Sequence, residues 1–220
     1  MSFSVKPAPP PRGWWYQLTP RLILADHKSQ AAEQGDTRVL ELSSGGAFPL
    51  GHPTTRLCLD LLCRALVDAP VRRLVEIGCG SGVLCVAAAA LGVPQVVGVD
   101  IAKPAVEATR RNARRHGLAV QVVLGSSACL RGTFDLVVAN LPIDVQHAQA
   151  PALHRLAGSQ GRLLLSGFRE PDEPALLQFY QQQGWQLTGH TVKYFQHPEL
   201  PATMNFNWVA WLLAPPAAAR

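Results

Sequence analysis

The chain has 220 residues, 48% hydrophobic and 16% charged, with 20 Lys and Arg against 15 Asp and Glu for a net charge of +5. That composition suits one α/β domain with short extensions and excludes a disordered chain, which needs low hydrophobicity and high charge. The mild basicity, with a pI near 9.2, is compatible with an acidic or nucleic-acid partner but too weak to argue for one.

Residues 1–13 are proline-rich and read as a flexible end, and no apolar run follows Lys6 as a secretory leader would need. Residues 14–52 form an extension with an aromatic cluster, Trp14–Tyr16, an apolar run, Leu22–Ala25, and a predicted strand, Arg38–Leu42. Two readings stand for this stretch: the aromatics cover one edge of the core, or the segment is a lid over a ligand. His52-Pro53-Thr54-Thr55 opens a helix, because Pro53 suits a first turn where its missing N–H is not needed. Leu57, Leu61, Leu62, Ala65 and Leu66 then follow at helical spacing.

Beyond that helix the pattern alternates. Strands are predicted at Arg73–Ile77, Gln95–Asp100, Val120–Leu124, Phe134–Ala139 and Arg162–Ser166. Helices are predicted between and after them at Gly82–Leu91, Pro104–His116, Val145–Leu156 and Glu173–Gln182. Two late strands, near Gln186–Tyr194 and Asn205–Leu213, follow one another without a helix, and residues 215–220 read as a flexible tail. Strands alternating with helices imply βαβ units and a parallel sheet covered on both faces, which the nearly continuous apolar runs LVVAN and LLLS support. The late pair must pair antiparallel or lie apart. Residues 14–214 therefore read as a single domain.

The turn Glu76-Ile77-Gly78-Cys79-Gly80-Ser81-Gly82 joins the strand at Arg73–Ile77 to the alanine-rich helix. Glycines there let the backbone take positive φ and approach a ligand. The dinucleotide fingerprint G-x-G-x-x-G would need a third glycine where Val83 stands. Glu76 just before the turn opposes a pyrophosphate and favours a cationic group. S-adenosylmethionine carries an ammonium and a sulfonium and no phosphate, so the charge logic prefers it to a nicotinamide or flavin cofactor. Asp100, ending the next strand, is placed to accept both hydroxyls of an adenosine ribose. Ile101 would lie against the adenine. After the strand at Val120–Leu124, Ser126 or the backbone is left to hold the adenine amine. Asn140-Leu141-Pro142 ends the strand at Phe134–Ala139, where ligands of open α/β sheets bind. The Asn140 side chain and the Leu141 carbonyl are acceptors able to hold an NH₂ group with its lone pair toward a methyl donor.

Val75–Gly82, Asp100 and Asn140–Pro142 resemble the signature of class I S-adenosylmethionine-dependent methyltransferases. Gly45-Gly46-Ala47-Phe48-Pro49-Leu50-Gly51-His52-Pro53-Thr54-Thr55 resembles the A-F-G-T-G-x-H-P-T-T stretch of the ribosomal-protein methyltransferase family, PrmA type, as do Arg56–Leu59 and Leu165–Phe168. The resemblance implies a Rossmann-like seven-stranded sheet of order 3-2-1-4-5-7-6 with its last strand antiparallel. It also implies cofactor contacts from Phe48, Gly51 and Thr54 beside Glu76, Gly78, Cys79, Gly80, Gly82, Asp100, Ile101, Ser126 and Asn140. The chain departs from the family pattern at Pro49-Leu50-Gly51, one residue shorter before His52, and at Ser126, where the family carries an acid. About 45 residues precede the motif, too few for the family's separate domain that recognises the ribosomal protein.

The expected activity is N-methylation of an amine or amide by S-adenosylmethionine, released as S-adenosylhomocysteine, with a protein or small molecule as acceptor. RNA methylation and a non-catalytic cofactor-binding subunit are the alternatives. Nucleic acid draws support only from Arg110, Arg111, Arg114 and Arg115, a set that reads first as a solvated helix face. Five cysteines, an odd number without a C-x-x-C pair, fit a reducing, cytoplasmic setting better than a disulfide framework. The histidine spacings offer no metal site, and the longest apolar stretch, Val83–Leu91, is about half of what a membrane span needs.

Overall fold

A computed structural model of the chain describes residues 13–26, 36–195 and 206–215. Three strands come first: β1 (Trp15–Thr19), β2 (Leu22–Asp26) and β3 (Arg38–Leu42). They form a small sheet of order β1-β2-β3, with β1 antiparallel and β3 parallel to β2. The rest follows as α1 (Pro53–Asp68), β4 (Arg73–Ile77), α2 (Val83–Ala90), β5 (Gln95–Asp100), α3 (Lys103–Arg115), β6 (Val120–Leu124), β7 (Leu136–Asn140), α4 (Ile143–Ala157), β8 (Arg162–Arg169), α5 (Glu173–Gln181), β9 (Gln186–Phe195) and β10 (Phe206–Ala214).

The main sheet runs β6-β5-β4-β7-β8-β10-β9. Strands β4 to β8 pair in parallel, and β10 lies antiparallel to both β8 and β9. Counted from Arg73, this is the order 3-2-1-4-5-7-6 with one reversed strand that the resemblance implies. Alternate residues of the central strands feed two cores. Leu74, Val138 and Leu164 face α1 and α2, while Val75, Val137 and Leu163 lie in the cluster with Leu153 and Leu156 of α4. Helix α2, VLCVAAAA, is buried on nearly every side, which is why it carries no charged residue.

For two strands the boundaries differ from the prediction by two or more residues, and local pairing accounts for both. β7 starts at Leu136, because Phe134 N–H donates to the Leu156 carbonyl and Asp135 Oδ2 accepts from the Arg72 and Arg73 amides at 2.7 and 2.9 Å. β8 runs on to Arg169 because Trp208 of β10 pairs with it.

The three-stranded sheet is the element that the sequence pattern did not reveal beyond β3. Its aromatics cover the α1 edge of the core, the first of the two readings above. The Tyr16 hydroxyl donates to Asp60 Oδ1 at 2.6 Å, Arg56 Nη2 donates to the Trp15 carbonyl at 2.6 Å, and the Arg56 guanidinium lies 5.9 Å from the Tyr16 ring centroid. On α3, Arg110 donates to the Val122 carbonyl, Arg111 faces Glu107, and Arg115 pairs with Glu41 of β3. The arginine set is thus largely a face that ties α3 to its neighbours. All five cysteines are free thiols, and among the described residues no helix is long and apolar enough to cross a membrane.

Removing a half-buried charged donor leaves its acceptor unsatisfied, at about 1–3 kcal/mol. Arg56→Ala should therefore speed amide exchange in β1 and β2 by about ten- to a hundredfold while β4 and β7 keep their protection. Unchanged exchange in β1, measured by mass spectrometry, would show that the small sheet is held by its apolar contacts alone.

Candidate functional site

A cavity of about 460 Å³ opens at the carboxyl ends of β4, β5 and β7, where strand order reverses. Its floor is the turn between β4 and α2. Gly78, Gly80 and Gly82 take φ of +73°, +55° and +75°. A Cβ at Gly78 would come within 2.5 Å of Leu141 Cδ2, and one at Gly82 within 2.5 Å of Thr109 Cγ2. Both positions therefore require glycine for backbone angle and for space. Thr109 and Asn112 of α3 support the turn from behind. The Thr109 hydroxyl donates to the Gly80 carbonyl at 3.0 Å, and Asn112 Nδ2 donates to the Ser81 carbonyl at 2.8 Å.

Among the described residues, two carboxylates line the cavity and no Lys, Arg or His does. Glu76 is buried, and its Oε2 accepts the Cys85 N–H at the start of α2 at 3.0 Å. Burial pushes its carboxyl from 4.5 up to about 8, against the pull of the Cys85 bonds, with the nearby Asp100 charge adding to the rise. Asp100 Oδ2 accepts the Gly80 N–H and Oδ1 the Ala102 N–H, both at 2.9 Å. Each oxygen keeps a lone pair for another donor. Ile101 and Phe48 stand at the mouth as apolar surfaces, 79% and 49% exposed, with the Phe48 ring tilted against His52 at 4.7 Å between centroids.

On the opposite wall Asn140, Leu141 and Pro142 leave β7. The Leu141 carbonyl, expected as a second acceptor, is engaged from within the protein: Gln146 Nε2 donates to it at 3.0 Å. Gly167 packs so closely beneath it that an added Cβ would overlap that carbonyl. The Leu141 contribution to the wall is its side chain over Gly78, and Asn140 is left as the side-chain acceptor there.

Several expected positions are corrected. Phe48 lines the cavity with Ala47 and Pro49, but Gly51 does not; it abuts the Trp14 ring. Thr54 is fully buried with its hydroxyl 2.8 Å from His52 Nδ1, and the neighbouring Thr55 takes the wall instead. Trp14–Tyr16 are not in the lining, so the segment over the cavity is residues 47–49. Ser126 is exposed on the rim with Oγ accepting the Ala128 N–H at 3.3 Å, capping a short 3-10 turn, Ser127–Cys129. Cys79 lines the cavity as a buried thiol, pushed up to about 12 mainly by burial. Between β9 and β10, His197 and Asn205 lie outside the described residues. Sequence reasoning missed Thr55, Ser127 and Gln149, which line the cavity, and Gln146, which is buried behind it and holds the Leu141 and Ser166 carbonyls. Their helical or turn positions look ordinary until the topology brings them together. Among the described residues no cluster suits a metal ion.

Comparison with known proteins agrees with this geometry. The family model for ribosomal protein L11 methyltransferase (PrmA) matches residues 16–194. A ribosomal protein L11 methyltransferase of Ralstonia pickettii is 44% identical over 140 residues, 63% of this chain and 46% of that protein. One from Syntrophotalea carbinolica is 41% identical over 178 residues, 79% and 57% of the two chains. The crystal structure of a ribosomal protein L11 methylase from Lactobacillus delbrueckii subsp. bulgaricus superposes with a TM-score of 0.74 at 23% identity, covering 92% of this chain and 99% of that one. Magnesium protoporphyrin IX methyltransferase from Synechocystis, solved with S-adenosylmethionine, shares the fold at a TM-score of 0.57 and 19% identity, covering 72% and 78% of the two chains. The chain spans about half the length of the curated relatives it matches.

The Glu76 environment sets a pH dependence. Its folded carboxyl titrates near 8 rather than 4.5, so the folded state holds a proton that the unfolded state releases, and stability from this group falls as pH rises between those values. In urea titrations at pH 5 and pH 8, Glu76→Gln should gain on the wild type as pH rises. A stability difference constant with pH would place the carboxyl in a solvated setting.

Proposed function

Because the chain belongs to the ribosomal protein L11 methyltransferase (PrmA) family, we propose that it methylates an amine or amide nitrogen of a protein acceptor, using S-adenosylmethionine, with ribosomal protein L11 as the acceptor to test. The observation that carries this reading is the charge of the cavity: among the described residues its lining holds two carboxylates and no cationic side chain. Such a lining repels phosphate and attracts ammonium and sulfonium groups. Its volume lies within the range of small-molecule pockets, roughly 300–1,000 Å³. Bound S-adenosylmethionine would supply a methyl group on a positively charged sulfur, transferable to a nitrogen lone pair, with the nitrogen shedding a proton to solvent.

The residues divide the work. Glu76, ionised by the incoming cation, faces the methionine ammonium. The open lone pairs of Asp100 suit the two ribose hydroxyls, and the glycine turn leaves room for the chain between them. Ile101 offers the adenine an apolar face. Asn140 holds the acceptor NH₂ so that its lone pair points at the methyl. Phe48, on the segment over the mouth, excludes water. In-line displacement needs no activated nucleophile beyond a neutral amine, so rate comes from positioning and from the dry wall. The protein acceptor rests on the names of the relatives, and the cofactor on the cavity itself.

Calorimetry with S-adenosylhomocysteine and a tritium-transfer assay on purified L11 separate these roles. Asp100→Ala should weaken cofactor binding more than tenfold. Asn140→Ala should hold affinity within about threefold yet lower transfer by about a hundredfold or more. Wild-type binding without transfer to L11 would reject that acceptor while keeping the cofactor, and undiminished binding by Asp100→Ala would remove the ribose assignment.

A further inference from the structure

The wall that carries Asn140 is held from behind by a residue outside the cavity lining. Gln146 lies near the start of α4 and is wholly buried. Its backbone N–H donates to the Pro142 carbonyl at 2.9 Å. Its Nε2 donates to the Leu141 carbonyl at 3.0 Å and to the Ser166 carbonyl of β8 at 2.6 Å. Carbonyls only accept, so the NH₂ end of the amide must face them, and both of its hydrogens are used. One residue therefore holds the carbonyls of the two positions that follow Asn140.

The clamp closes from β8. The Ser166 carbonyl also accepts the Leu141 N–H at 3.0 Å, so Leu141 is fixed at both its N–H and its C=O. The direction in which Asn140 leaves β7 is fixed with it. Packing alone does not call for a glutamine at this place. Gln146, Ala150, Leu153 and Ala157 recur three and four residues apart as one buried stripe of α4, and Gln146 is its polar member. Its Oε1 is buried without a hydrogen-bond partner among the described residues, a cost that leucine or methionine of similar volume would avoid. Such departures from apolar packing gather at functional sites.

We infer that Gln146 is a positioning residue for methyl transfer: it fixes the Leu141 peptide so that the Asn140 side chain stands where the acceptor nitrogen meets the methyl group. The inference rests on the function proposed above, in which Asn140 touches the acceptor. An anchor of this kind acts on rate and not on cofactor binding. A displaced Asn140 spoils the alignment of the reacting atoms. Glu76 and Asp100 keep their places, because their hydrogen-bond donors are Cys85, Gly80 and Ala102, none of which Gln146 holds.

The test uses Gln146→Leu and Gln146→Met in the full chain, with thermal unfolding, calorimetry with S-adenosylhomocysteine and tritium transfer to purified L11. Both variants should unfold close to the wild type, since removing the orphaned oxygen offsets the two lost bonds. Cofactor affinity and KM for L11 should stay within about threefold, while kcat falls by about ten- to a hundredfold. A double-mutant cycle separates positioning from general disturbance of the fold. If Gln146 acts through Asn140, adding Gln146→Leu to Asn140→Ala should cost less than about threefold more in kcat. Wild-type kcat in both variants overturns the inference, as does a Gln146→Leu loss that multiplies in full with that of Asn140→Ala. Lost stability or lost cofactor affinity in both variants makes Gln146 a packing residue and overturns it too. If the wild type transfers nothing to L11, the acceptor reading falls and the inference with it.

Discussion

A carboxylate buried beneath a helix N-terminus is the constraint around which the cavity is built. Glu76 lies near the end of a central strand, buried except toward the cavity, and its hydrogen-bond donor is the Cys85 amide of α2. A helix N-terminus favours negative charge by about 0.3–1 kcal/mol in exposed settings and up to about 2 kcal/mol when partly buried. Removing a carboxylate from water without a full set of partners costs more than that. The balance shows in the direction of the Glu76 shift, upward to about 8. A cation entering the cavity reverses the balance, because it supplies the partner that the protein withholds. The described lining therefore favours positive over negative charge.

For the α2 amide to reach Glu76, the chain must turn back over its own strand within Gly78–Gly82, and left-handed glycines make that reversal possible. Such a turn is floppy by itself, so its support comes from α3. Thr109 fills the space that a Gly82 side chain would take and bonds the Gly80 carbonyl. Asn112 goes further: its Oδ1 accepts the Ser43 N–H at 3.0 Å while Nδ2 donates to the Ser43 and Ser81 carbonyls. One buried amide thus joins the glycine turn to the start of the segment that carries Phe48 over the mouth. The floor and the cover of the cavity share a fastening.

The parts of this arrangement that were readable from sequence are those with local causes. β3, β4, β5 and β6 lie where their apolar runs put them, and Pro53, three alternating glycines and Asp100 each carry a backbone or charge argument that needs no partner. What was hidden depends on contacts distant in the chain. β1 and β2 have too little alternation to declare themselves, and their sheet exists because Arg56 and Asp60 of α1 receive them. Thr54 and Thr55 are adjacent in sequence, yet helix rotation buries one and turns the other to the cavity. Ser127, Gln146 and Gln149 sit in segments whose polarity looks like ordinary surface. Only the crossing from β6 through β7 into α4 makes them neighbours.

The acceptor wall shows the same dependence at its sharpest. Asn140 ends β7 and enters a short loop that lines the cavity. Two elements fix that loop from inside. The Ser166 carbonyl of β8 accepts the Leu141 N–H at 3.0 Å and Gln146 Nε2 at 2.6 Å, and Gln146 bonds the Leu141 carbonyl as well. Gln146 is wholly buried with its Oε1 unpartnered among the described residues, a deficit of about 1–3 kcal/mol. A leucine there would avoid it. The glutamine nevertheless ties α4 to the loop backbone on one side while Gly167 closes against it on the other. Stability lost at an orphaned carbonyl is set against rigidity in the loop that presents Asn140 to the cavity.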